Sequence, residues 1–348
     1  AHLSRVGLAK IERGHALPRA STLRELARAM GVSPVDLADP VRPLHTVRFR
    51  ARKRVREREQ LLAEVSNWLD DYSFLEDLLD DSQPFRLRNL CDRRDLDPRA
   101  LAEAVREALD LDDQPIYDIC GLLEKCGVKV LRLPRATDAF FGLSVGDDDG
   151  GPAIVINTWE RISVERWIFS AAHELGHLLL HPSAYDHKEE NEPKEEESQA
   201  DQFASFLLMP DDAFEREWHD ASGRPLYDRV LKVKRIFHVS YKTVLLRLVQ
   251  KGDVSKDVFQ AFQVQHRRRF GRTLKKADEP RPLTESEFAE GRRGLEPDRL
   301  SDADCLDDRL WRLVRKAVET DEISLSRGAE ILRMSLMDMR QLAAEWAT

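Results

Sequence analysis

The chain is poor in cysteine, in long apolar runs and in net positive charge. Its four cysteines (Cys91, Cys120, Cys126, Cys305) are scattered through 348 residues with no C-x-x-C pair. That usage argues against a disulfide framework or a cysteine-rich zinc site and fits a reducing cytosol. No run approaches the roughly 20 apolar residues that span a bilayer, and the first residues carry no signal-peptide pattern. A cytoplasmic protein with no membrane partner is therefore expected. The net charge of −8 argues against a general nucleic-acid coat protein, while leaving room for a local basic site. What the chain does have is charge of both signs, 34% of its residues, and a length that suits two or more domains.

One helix stands out. Val164 to Leu180 is apolar almost all round, through Trp167, Ile168, Phe169, Ala171, Ala172, Leu175, Leu178 and Leu179, the pattern of a buried helix. Yet Arg166, Ser170, His173, Glu174, His177 and His181 fall within one arc of roughly 100°. A polar stripe on a buried helix needs partners, because unpaired buried polar groups are costly. His173 and His177 are separated by four residues, so both imidazoles project from one face and can share an ion. Glu174 leans beside that ion, where it can take a proton from a water on the metal. H-E-x-x-H is the zinc-peptidase signature for these reasons. The competing reading, two surface histidines on an amphipathic helix, sits poorly with the apolar flanks.

A catalytic zinc site wants three protein ligands and an open position. The candidates lie in "EEESQADQFASFLLMP", Glu195 to Pro210, which reads as a second helix entering a core. Glu197 and Asp201 share a face, and Ala200 and Ala204 beside them allow a close approach to the first helix. Glu197 is the expected third ligand. Asp201 is the expected acceptor for the free ring N–H of a ligand histidine. Glu195 and Glu196 suit the helix N-terminus, where negative charge complements the macrodipole. His181, His187 and His219 are expected bystanders. Tyr241 or His238 is a candidate oxyanion donor that the spacing does not decide between.

"AAHELGHLLLHP" followed by "EEESQADQFASFLLMP" resembles the ImmA/IrrE family of metallopeptidases, over roughly residues 116–250. The resemblance implies His173, His177 and Glu197 as zinc ligands of a gluzincin-like site and Glu174 as general base. The family commonly has glutamate where this chain has Gln199, which removes a competitor of Glu197. Manganese accepts the same ligand set.

Elsewhere the chain reads mostly as helix. In residues 1–40 a helix carrying Leu8 and Ile11 stops at Gly14. Pro18 restarts the chain, Ser21 and Thr22 cap a helix through Met30, and Ser33-Pro34 opens a third. This stretch resembles the later part of an XRE-type helix-turn-helix domain, whose recognition helix would match Ser4 to Arg13; the two preceding helices of that family are not in the sequence. The candidate DNA contacts are Arg5 and Lys10, with Arg48, Arg50, Arg52, Lys53 and Arg54 of the basic stretch Val47 to Arg58. That stretch is open between a phosphate-tracking arm and a strand or linker paired with the helix after it. Helices follow to about residue 112, and one from Ile116 to Cys126. The period then changes to two, giving about three strands: Val128 to Leu133, Phe140 to Val145 and Ala153 to Asn157. Ser183 to Lys194 reads as a polar loop. The segment "LYDRVLKVKRIFHVSYKTVLLRLVQKG" gives two helices broken at His238-Val239-Ser240, and resembles the helix-turn-helix that follows the core in the ImmA/IrrE family. Residues 280–297 read as a linker. The remainder reads as helix, helix, turn at Arg333-Met334-Ser335, helix, resembling a small helix-turn-helix or a dimerisation element.

The fold class expected is mainly α with a small sheet (α+β), a minimal zincin-like core flanked by helix-turn-helix elements. The units are 1–45, 46–112, 113–215, 216–262 and 263–348. The function implied is a zinc-dependent endopeptidase that cleaves specific proteins, by resemblance helix-turn-helix repressors of stress, phage or mobile-element genes. Two other readings stand beside it: a DNA-binding regulator whose peptidase-like part senses without cleaving, and a protease in a toxin–antitoxin or defence pair. A homodimer fits any of the three.

Overall fold

The alternation between Val128 and Asn157 builds a mixed sheet in the computed structural model, which describes residues 4–12, 15–30, 34, 42–51, 58–93, 95–138, 140–182, 193–275, 278–281 and 300–346. Its strands are β1 (Val47–Ala51), β2 (Lys129–Leu133), β3 (Phe140–Val145) and β4 (Ala153–Asn157). They lie in the order β1-β3-β4-β2, with β2 parallel to β4, and β3 antiparallel to both β4 and β1. The expected three strands are therefore four. The added one is the start of the basic stretch, which pairs with β3 roughly ninety positions further on, as in Val47 opposite Val145. No local turn signal could announce that pairing.

Neighbouring side chains of a strand point to opposite faces, and here both faces are covered. Ile154 and Ile156 of β4 enter one core with Val130, Trp167, Ile168 and Leu175. Ala153 and Val155 enter another with Val47, Leu131, Leu143, Val145, Trp68 and Leu69. Burial from both sides explains why "AIVIN" is apolar at successive positions. The first core is built by α4 (Pro98–Ala108), α5 (Ile119–Lys125), α6 (Val164–Leu180), α7 (Lys194–Leu208), α8 (Asp211–Asp220), α9 (Leu226–Phe237), α10 (Tyr241–Gln250) and α11 (Val258–Phe270). The second takes α3 (Arg58–Leu78), α12 (Arg309–Glu319), α13 (Leu325–Ile331) and α14 (Leu336–Trp346). Near the start of the chain lie α1 (Arg5–Glu12) and α2 (Ala20–Met30). No helix among the described residues is long and apolar enough to cross a membrane.

Several boundaries differ from expectation for local reasons. The helix expected from Ile116 starts at Ile119, because Asp118 caps it by accepting from the Gly121 N–H at 2.8 Å. α2 starts at Ala20, placing Ser21 and Thr22 in its first turn. The break after α9 falls at His238, in the left-handed region at φ 55°, and Ser240 then caps α10 by accepting from the Thr243 N–H at 3.1 Å. Arg333, also at φ 55°, makes the turn between α13 and α14. The third helix expected from Ser33-Pro34, most of the loop after Ser183 and most of the linker after Pro280 lie outside the described residues.

α12 is tied to the far side of the sheet. Arg309 donates to Glu76 Oε1 at 2.9 Å, and Lys129 Nζ meets Glu76 Oε2 at 3.0 Å. The Glu124 carboxylate accepts from the backbone N–H groups of Asp308 and Arg309, each Arg309 contact being 3.0 Å. Burial lifts the Glu124 carboxyl from its ordinary 4.5 to about 7, against the lowering effect of those N–H donors. The folded value lies above the unfolded one. The contribution of this group is therefore fully present below about pH 4.5 and lost as pH rises through about 7. Glu124→Gln keeps an acceptor and removes the charge. Its melting temperature relative to wild type is expected to rise between pH 5 and pH 8, by an amount worth up to about 3 kcal/mol; a difference that is flat with pH counts against the assignment.

Candidate metal centre

α6 and α7 approach closely because small residues line their contact. A Cβ at Gly176 would come within 2.9 Å of Phe203 Cδ1 and 3.3 Å of the Ala200 Cα. Ala200, Phe203, Ala204 and Leu207 are buried against this side, which leaves Glu197 and Asp201, one turn apart, facing the α6 histidines.

The polar stripe of α6 meets its partners there. His173, Glu174 and His177 are fully buried and Ser170 and His181 nearly so. His173 Nε2 and His177 Nε2 lie 2.9 Å apart. His177 Nε2 is 3.0 Å from Glu197 Oε1, and His173 Nε2 is 3.7 Å from Glu197 Oε2. Among the described residues, His173, His177 and Glu197 form a group able to hold a metal ion, with one donor atom from each lying within 4.8 Å of the others. Two imidazole nitrogens and one carboxylate are the donor set of a catalytic site with a position left open. The Glu197 side chain is 25% exposed.

The ring nitrogens pointing away are also engaged. His173 Nδ1 lies 2.9 Å from Asp201 Oδ1, an ion-pair distance without the alignment of a hydrogen bond; a proton on Nδ1 leaves the Nε2 lone pair for a metal. His177 Nδ1 lies 3.1 Å from His181 Nδ1, and His181 Nε2 lies 2.8 Å from Gln199 Oε1. The tautomers then follow: His177 donates from Nδ1 to His181, and His181 donates from Nε2 to Gln199. Burial holds His177 well below the usual imidazole range, and Arg48 is among the charges that add to this; burial lowers His181 as well. Burial thus favours the neutral form of His177, the form that ligation requires. His181, expected to be a bystander rather than a ligand, lies outside the three-donor group and contacts His177. Such outer partners typically govern 10–100-fold in metal affinity, so Asp201→Asn and His181→Ala are each expected to weaken binding by about that factor in competition with a chromogenic chelator.

Glu174 stands apart from the three donors. Its Oε2 accepts from Ser144 Oγ at 2.9 Å, and Gly142 lies so close that a Cβ there would come within 2.9 Å of Oε1. β3 therefore holds the carboxylate. Sequence reasoning missed both residues; the only local signal was two small residues alternating with Phe141, Leu143 and Val145 on an otherwise apolar strand.

Other expected site residues lie elsewhere. Arg48, expected to face DNA, is 3% exposed and its Nη1 meets Glu196 Oε2 at 2.5 Å; it is not available to a phosphate, because strand pairing turns it inward. Arg5 and Lys10 on α1 are exposed. The side chains of Arg50, Arg52, Lys53 and Arg54 lie outside the described residues, as does His187. His219 is exposed. Tyr241 is built into the helical core, its ring stacked on Phe262 at 4.8 Å and its hydroxyl accepting from Gln263 at 3.4 Å. His238 is buried edge-on against Tyr117.

The donor set and the fold around it are of the metallopeptidase type. Residues 123–249 match the family model of the IrrE N-terminal-like domain, Peptidase_M78, and residues 1–37 match a helix-turn-helix model, HTH_3. The resemblance to the ImmA/IrrE family with an XRE-type helix-turn-helix is borne out on those two segments, and the α+β class with it. No curated protein matches the sequence.

Proposed function

We propose that the chain is a metal-dependent endopeptidase acting on specific proteins, with helix-turn-helix repressors as its substrate class. The observation that carries this reading is the convergence of His173, His177 and Glu197 on one point beside a buried glutamate, Glu174, that β3 holds in place. His173, His177 and Glu197 would hold a divalent metal, zinc by its donor set or manganese, which would supply Lewis acidity toward a peptide carbonyl and a water when bound. The chain's residues supply the rest. Glu174 accepts the proton and returns it to the leaving amine. Ser144 fixes the orientation of its carboxylate. Asp201 and His181 hold the ligand rings in the tautomer that binds. Tyr241, stacked in the core, is a poor oxyanion donor.

The repressor class rests on the family resemblance and on the helix-turn-helix match at residues 1–37. Co-expression with helix-turn-helix repressors encoded nearby, followed by immunoblotting and metal analysis of the purified protein, tests it. Cleavage by the wild type and none by Glu174→Gln is expected. The same match, with Arg5 and Lys10 exposed on α1, favours a second reading, a DNA-binding regulator. Salt-dependent DNA binding that is indifferent to Glu174→Gln, with no repressor cleaved, would select it. A cytoplasmic setting accords with either.

A further inference from the structure

β3 is the strand that touches the catalytic carboxylate, through Gly142 and Ser144. An extended peptide brought to this site by main-chain hydrogen bonds has to use the edge of β3 that β4 leaves free. In this protein that edge is filled by the chain itself. β1 runs antiparallel to β3, with Arg48 opposite Ser144 and Arg50 opposite Gly142. Val47, opposite Val145, enters the second core. Arg48, one position on, projects to the other face, where its guanidinium meets Glu196. Glu196 directly precedes Glu197 in the acidic first turn of α7. β1 thus crosses the site between β3 and the start of α7.

We propose that β1 occupies the strand position of the substrate, and that the segment this site takes is an extended one of the same pattern. That segment sets an apolar side chain toward the second core and a basic one, in the place of Arg48, toward Glu196. The proposal rests on the peptidase reading and gives it a substrate class: a short alternating apolar–basic strand, able to displace β1. It also places the gate to the site in β1 itself, which lies outside both the helix-turn-helix match and the peptidase match.

The test uses the full chain and the synthetic hexapeptide TVRFRA, the sequence of Thr46 to Ala51. In hydrogen–deuterium exchange, saturating peptide is expected to speed exchange in residues 46–51 by about tenfold or more while β3 stays protected. The peptide TVEFRA, which places a glutamate opposite Glu196, is expected to do nothing at the same concentration. A second arm locks β1 with Val47→Cys/Val145→Cys. The oxidised form is expected to keep its zinc and cleave a repressor substrate about 100-fold more slowly than the reduced form. Unchanged exchange in residues 46–51, equal effects of the two peptides, or equal and measurable cleavage by both forms overturns the proposal. Failure of the peptidase reading looks different: TVRFRA still displaces β1, while neither form cleaves any repressor.

Discussion

Glutamine at Glu174 is expected to lower the cleavage rate by about 10²- to 10⁴-fold, the range supplied by a positioned acid–base group, with metal content unchanged. The two halves of this expectation come from different contacts. Glu174 is not among the converging donors, so its charge is not needed to hold the ion. Its Oε2 takes a hydrogen bond from Ser144 at 2.9 Å, which a glutamine carbonyl oxygen can still accept. What glutamine cannot do is take a proton. The change conserves volume in a fully buried position, so the melting temperature is expected to stay at or above the wild-type value. Single-turnover cleavage, metal analysis and a thermal melt on the same preparation check all three points. Loss of metal together with activity would instead make Glu174 a ligand and reverse the assigned roles.

Alanine at Glu197 is expected to do the opposite: metal and activity go together. It removes one of three donors and leaves two buried imidazoles, their Nε2 atoms 2.9 Å apart, with no anionic member left in the donor set. The loss of affinity is expected to exceed the about 10–100-fold assigned to an outer partner such as Asp201. Glu195→Ala is the control, because Glu195 is exposed at the start of α7 and contributes only to the helix terminus; it is expected to retain metal and rate. Competition with a chelator of known affinity separates the two variants. If Glu195→Ala loses the metal and Glu197→Ala keeps it, the third ligand has been assigned to the wrong turn of the helix.

The site was legible where its geometry is local. His173 and His177 are one turn apart on a helix, as are Glu197 and Asp201, and helical periodicity turns such spacings into shared faces. The buried polar stripe was legible for the same reason. His181 belongs to that stripe, one further turn along, and the spacing points to its contact with His177. Ser144, Gly142 and Arg48 were not legible as site residues. Ser144 and Gly142 reach Glu174 through the packing of α6 on β3, and Arg48 reaches Glu196 once β1 has paired with β3; contacts between distant segments leave no periodic trace in either. The same limit explains the fourth strand. "VRFRA" alternates, but its alternation cannot say whether Arg48 faces a phosphate or a carboxylate until the partner strand is known.

The junction of Arg309 with Glu76, and of α12 with the Glu124 cap, joins positions 233 and 185 residues apart. Contacts of such long range are slow to form and are completed late. During synthesis, α12 can reach α3 only after residues beyond 309 have left the ribosome. Until then α3 lacks the helix that packs against it, while the helices that carry the histidines and Glu197 have already been made. A nascent chain therefore passes through a stage in which those helices are present and the second core is incomplete, and it is this stage that a chaperone, or a protease of the cell, would meet.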